Sequence, residues 1–176
     1  MPRIPFVSAD LDEPAAIVDA IRKRRGGKLL DLDRMLLNSP ALAAGWNVYL
    51  GAVREQLTLA PKLRELAICG VAALNRADYE FVHHAPLFIR EGGTQAQVEA
   101  LKEFERASSS ILFDATERAV IRLTLEMTRN VDVHEETFAA AAKALGSPQA
   151  MVELVASIAT YNMVSRFLVA MAIQPE

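Results

Sequence analysis

The chain has 176 residues, of which 52 % are hydrophobic and 23 % charged, with a formal net charge of −3. This composition supports one cored domain and excludes a disordered chain, and the acidic balance lacks the basic excess of a nucleic-acid protein. Its single cysteine, Cys69, allows no internal disulfide, as expected of a reducing compartment.

Helix punctuation runs the length of the chain, and strand signals are nearly absent. Asp12-Glu13-Pro14 opens a helix to Arg25 that Gly26-Gly27 stops, by an N-cap, a first-turn proline and a C-terminal glycine. The basic run Arg22-Lys23-Arg24-Arg25 ends this helix, where cations offset the negative end of the dipole. Leu29–Asn38 is a short helical turn or a helix, and Ser39-Pro40 caps the next, to about Gln56, with Trp46 and Tyr49 as core or interface residues. Pro61 starts a helix to Leu74 or Asn75, and Asp78–Glu91 forms another, ended by Gly92-Gly93. Thr94-x-x-Gln97 and Asp114-x-x-Glu117 read as capping boxes for helices to Arg106 and Asn130. Asp132-x-x-Glu135 opens a helix to Gly146, with His134 a surface histidine, and Ser147-Pro148 opens the last, to about Ile173. An all-α fold follows, a single domain over residues 1–176 with about eight helices. The N-terminus lacks a signal-peptide core and no uninterrupted apolar run spans a bilayer. A cytoplasmic location, with neither membrane nor nucleic acid as partner, is the expectation.

The helix from Pro61 to Leu74 is apolar nearly all round, so it belongs in a core or a subunit interface. Glu65 shares a face with Ile68, Cys69 and Ala72. A carboxylate taken out of water there must be paired or functional. Arg34, Arg54 and Arg76 are the candidate partners. On the next helix Glu80 and His84 stand four residues apart on one face. Tyr79 and His83 form a second pair about 100° round the helix, so one histidine faces inward and the other faces solvent or a neighbour. A histidine beside a carboxylate has its tautomer fixed, as a general acid or base needs. Such pairs also occur on plain helix surfaces. Tyr161 and Asn162 lie in the largely apolar last helix, as pocket lining or as a satisfied buried pair.

The stretch Leu63-Arg64-Glu65-Leu66-Ala67-Ile68, continued by Ala73-Leu74-Asn75-Arg76-Ala77-Asp78-Tyr79-Glu80-Phe81-Val82-His83-His84-Ala85, resembles the core motif of the carboxymuconolactone decarboxylase and alkylhydroperoxidase D-like family. The resemblance covers most of residues 30–173, and its specific part is 61–91. In the peroxidase branch the motif is a glutamate, a Cys-x-x-Cys pair, and a histidine four residues after the second cysteine. The glutamate falls on Glu65, the histidine on His84, and the two cysteine positions on Ala77 and Glu80. Both thiols are missing, and Cys69 is on the preceding helix among apolar neighbours, which argues against thiol peroxidase chemistry.

The resemblance implies an all-helical fold and a homo-oligomer, trimer or hexamer. It also implies a cofactor-free lyase acting on a small carboxylated lactone or related carbonyl acid. His84, Glu65 and Glu80 would be its catalytic residues, and Tyr79, His83 and Arg76 its substrate contacts. No metal or other cofactor is expected, because Glu80-x-x-His83 is only half of a di-iron motif and has no second copy in the chain. The competing expectation is a non-catalytic oligomeric binding or structural protein. An open cleft reached by Glu65, Tyr79 and His84 would favour the enzyme. A closed interior with Glu65 paired to an arginine would favour the alternative.

Overall fold

The computed structural model describes residues 1–175, and among them it has ten helices and no strand. The all-α expectation holds. The helices fall into two compact units, Met1–Leu57 with Met171–Gln174, and Thr58–Ala170.

In the first unit, α3 (Pro40–Glu55) packs against α1 (Ala15–Arg25) and α2 (Asp31–Leu36). Pro14, not Asp12, occupies the N-cap position of α1, and Glu13 accepts the Ala15 N–H at 3.0 Å. Proline has no N–H to satisfy, so it fits where helix donors go unpaired. On α3, Trp46, Leu50 and Val53 are core residues while Tyr49 is exposed. The basic run on α1 does more than complement a helix end. Arg25 Nε lies 3.0 Å from Asp33 Oδ2, and Arg24 Nη2 lies 3.6 Å from Asp33 Oδ1. Asp33 is buried and also accepts the Leu30 N–H at 3.1 Å. Burial, and after it the charges of Arg25 and Arg54, lower Arg24 to about 10. The buried carboxylate works against that shift.

The second unit holds α4 (Pro61–Asn75), α5 (Asp78–Arg90), α6 (Gln95–Leu101), α7 (Phe104–Ala107), α8 (Ala115–Arg129), α9 (Glu135–Leu145) and nearly all of α10 (Pro148–Met171). α4 packs against α5, α6, α7 and α8. Being surrounded explains why every residue from Arg64 to Ala72 is buried. Two expected capping boxes form: Thr94 Oγ1 accepts the Gln97 N–H at 3.1 Å, and Asp114 Oδ1 accepts the Glu117 N–H at 2.8 Å. The third does not. α9 starts at Glu135 with the exposed His134 at its N-cap position, and Glu126 of α8 accepts the His134 N–H at 2.9 Å. A carboxylate from the neighbouring helix thus does what Asp132 was expected to do.

The helix expected over 94–106 breaks at Lys102-Glu103 into α6 and α7. Just past the break, Phe104 is buried against Gly70 of α4, where a Cβ would stand 2.3 Å from the ring atoms Cε2 and Cζ. Overpacking of a filled core costs about 1–3 kcal/mol. Gly70→Ala is therefore expected to lower the urea midpoint by that amount of stability. An unchanged midpoint would show that the ring yields without cost.

α10 is long and apolar enough to cross a membrane by length and composition alone, with half of its most apolar stretch buried inside the protein. Its polar groups are bonded within the second unit. Glu153 Oε2 accepts the N–H groups of Thr58 at 2.8 Å and Leu59 at 2.7 Å, and Asn162 Nδ2 donates to Thr128 Oγ1 at 3.0 Å. Satisfied buried polar groups of this kind belong to a core helix.

Candidate active site

α4 and α5 run side by side, and their contact brings together the glutamate and histidine that the sequence separates by nineteen residues. His84 Nδ1 donates to Glu65 Oε2 at 2.6 Å, with Glu65 3 % and His84 5 % exposed. With Nδ1–H committed to the carboxylate, the lone pair of a neutral His84 ring sits on Nε2. The fully buried Tyr161 of α10 meets the imidazole edge to face, with centroids 5.0 Å apart and planes at 84°. That contact fixes the plane of the ring. Asn162 is satisfied by Thr128, and the two residues left open on α10 thus divide, one on the histidine and one in the core.

Arg64 Nε donates to Glu65 Oε1 at 3.3 Å. This corrects the expected partners of Glu65. Arg34 donates to Asp31 and to the Val7 carbonyl. Arg76 stands exposed at the C-cap of α4 in the left-handed conformation, φ 56°. The cation is the residue next to the glutamate. Helical neighbours point about 100° apart, and the long arginine stem bridges that angle. Burial alone would raise Glu65, yet the His84 hydrogen bond, the His84 charge and Arg64 together hold it below the usual carboxylate range.

Glu80 is equally buried and accepts from Ser165 Oγ at 3.1 and 3.0 Å. Ser165 carried no signal in the sequence, since one serine on an apolar helix more often back-bonds its own turn. Cys69 is fully buried, and burial first, then the charges of Glu65 and Glu80, push its thiol far above the ordinary range. A thiolate is disfavoured there.

The two histidines diverge as expected. His83 is half-buried, stacks on Tyr79 with centroids 4.2 Å apart, and gives its Nδ1–H to the Tyr79 carbonyl at 2.6 Å. Among the described residues no group of three or more His, Cys, Asp or Glu side chains is placed to hold a metal ion. Arg76 lines a recess of about 280 Å³ with Asp78, Phe81, Val82 and Lys102, whose lining does not include Glu65 or His84. The structure thus joins Glu65 to His84, buries Glu80 near Cys69, and leaves Arg76 on a separate surface.

Residues 40–126 match the family described as the carboxymuconolactone decarboxylase family. Over this stretch the chain belongs to the carboxymuconolactone decarboxylase family. It is a member without a Cys-x-x-Cys pair, since it has one cysteine. Solved structures show the same fold. An uncharacterized peroxidase-related protein from Silicibacter sp. TM1040 gives a TM-score of 0.80 at 16 % identity, covering 99 % of this chain and 90 % of that one. A cysteine-to-alanine variant of the debrominase Bmp8 in complex with 2,3,4-tribromopyrrole gives 0.81 at 19 %, covering 100 % and 94 %. Apo Bmp8 gives 0.78 at 18 %, covering 97 % and 90 %. At these identities the likeness is one of fold. No curated protein matches the sequence.

Proposed function

We propose that this family member is a cofactor-free lyase that removes CO2 from a small carboxylated lactone or related carbonyl acid, with His84 as its acid–base residue. The observation that carries it is the buried 2.6 Å bond from His84 to Glu65. In the reaction the bond between the ring carbon and its carboxylate breaks. Its electron pair enters the conjugated lactone carbonyl, and CO2 departs. The enolate-like intermediate then takes a proton on carbon from Nε2 of the imidazolium, and water restores that proton. An ionised Glu65 stabilises positive charge on the ring while holding its orientation. Glu80, the buried carboxylate of α5 one turn before His84, keeps the surroundings of His84 polar. The proposal includes a homo-oligomer, since Val48, Val82, Val152 and Val169 are left exposed.

One observation favours the other reading, a non-catalytic binding or structural member. Glu65 engages both His84 and Arg64, and all three are nearly sealed. Incubation with carboxymuconolactone and related carboxylated lactones in D2O separates the two. The lyase is expected to release CO2 and leave one solvent deuteron on a ring carbon of the enolate-derived product. A purified, folded oligomer that turns over none of them would favour the non-catalytic role.

A further inference from the structure

We infer that the groove between α8 and α9 is a binding site for an organic polyphosphate, a ligand with clustered negative charge on a flat or apolar body. The groove has a volume of about 550 Å³, within the range of about 300–1,000 Å³ for small-molecule sites. Arg118 and Arg122 line it from α8 and Lys143 from α9, and apart from Thr116 the rest of its lining is alanine. Glu65 and His84 lie outside it, so this site stands apart from the proposed lyase site.

Three cations line the groove and no carboxylate does. The chain as a whole carries a net charge of −3, so the local sign runs against the global one. Arg122 and Lys143 are exposed and have no ion pair or hydrogen bond among the described residues. Arg118 Nη1 donates to the Phe113 carbonyl, and its other N–H groups have no partner among the described residues. The carboxylates on and beside α8 are committed elsewhere. Asp114 accepts the Glu117 N–H, Glu117 lies 2.7 Å from Lys62, and Glu126 takes the His134 N–H and the Thr137 hydroxyl. Glu135 and Glu136 stand in the first turn of α9, whereas Lys143 is in its last. Three like charges on one concave surface raise a potential that draws in anions.

The kind of anion follows from the lining. A single carboxylate would answer one of the three cations. A chain of phosphates answers all of them, with the guanidinium forks taking oxygens in pairs and the ammonium acting as a point charge. Between Ala115 and Arg122 the groove runs about 10 Å along α8, longer than one small anion needs. Its alanine floor offers no side-chain hydrogen bond and no ridge, so a flat or apolar body can lie on it and be withdrawn from water.

Calorimetry of the intact protein at low salt tests this. Magnesium-free ATP is the probe, tripolyphosphate supplies the charge alone, adenosine the body alone, and hexaglutamate an acidic peptide. ATP is expected to bind most tightly, tripolyphosphate more weakly, and adenosine not at all. Added salt should weaken ATP binding. The double variant Arg122→Gln, Lys143→Gln should fold, since neither side chain has a partner to lose. It should weaken ATP about 10-fold, the combined weight of two part-exposed charge contacts. A control pair on the first unit, Arg3→Gln with Lys28→Gln, makes the same change in net charge and should bind ATP as wild type does. Absent ATP binding, or equal weakening by both pairs, would overturn the site. Tripolyphosphate binding as tightly as ATP would overturn the organic part of the assignment. Hexaglutamate binding more tightly than ATP would overturn it in favour of an acidic polypeptide.

Discussion

Glu65→Gln is expected to cost about 3–5 kcal/mol of folding stability at neutral pH, the range for removing one member of a buried ion pair. Glutamine still accepts a hydrogen bond from His84, so the loss comes from charge: Arg64 is left buried beside a neutral amide, its one described anionic contact gone. The pH dependence carries a signature. Glu65 in the folded protein lies below the usual carboxylate range, because the hydrogen bond and charge of His84, with Arg64, outweigh the burial that opposes them. A carboxylate lowered on folding adds stability above its unfolded pKa and loses it as the pH falls through its folded pKa. The stability gap between wild type and Glu65→Gln, measured by urea unfolding, should therefore be full near neutrality and narrow below a pH of about 4. Other carboxylates titrate alike in both proteins and cancel in the difference. A gap that stayed constant down to the lowest pH at which both proteins fold would mean that Glu65 carries no charge in the native state.

How much of this was legible in the sequence depends on where the signal lay. Local chemistry read well. Glycine stops, first-turn prolines and two capping boxes set most helix bounds because they act within four residues. The all-apolar α4 marked itself as central, and Glu65 stood out because a carboxylate has no reason to lie on such a helix without a partner. What failed was set by neighbours in space. Glu126 caps α9 from α8, and Phe104 closes on Gly70 just past a break that no breaker residue announces. Ser165 reaches Glu80 from a helix 85 positions away. Arg64 was missed for the opposite reason. It was too near, and helix-wheel logic separates adjacent residues although a flexible side chain can turn back along the surface. The family motif gave Glu65 and His84 as corresponding positions, and the 2.6 Å bond shows that the correspondence is a contact.

His84→Asn is the variant that separates the histidine's chemistry from its structural role. The asparagine amide nitrogen stands near the place of Nδ1, so it can still donate to Glu65 and leave the carboxylate satisfied. What it lacks is the second ring nitrogen. If Nε2 delivers the proton to carbon, kcat should fall by about 10²–10⁴-fold, the usual weight of general acid–base catalysis. KM should stay close to wild type, because Nε2 on this account acts on the proton delivered to carbon and not on the bound ground state. The melting temperature should move far less than in Glu65→Gln, since no buried charge loses its partner. A histidine that mattered only as the hydrogen-bond donor to Glu65 would give the reverse, a variant with nearly full activity because the donor survives. A third outcome is informative as well. Should the asparagine variant lose both activity and stability, the T-shaped contact of the imidazole with Tyr161 would be carrying the core. A His84→Phe protein, which restores the ring without its nitrogens, would then recover the fold and leave turnover absent if Nε2 is the acid.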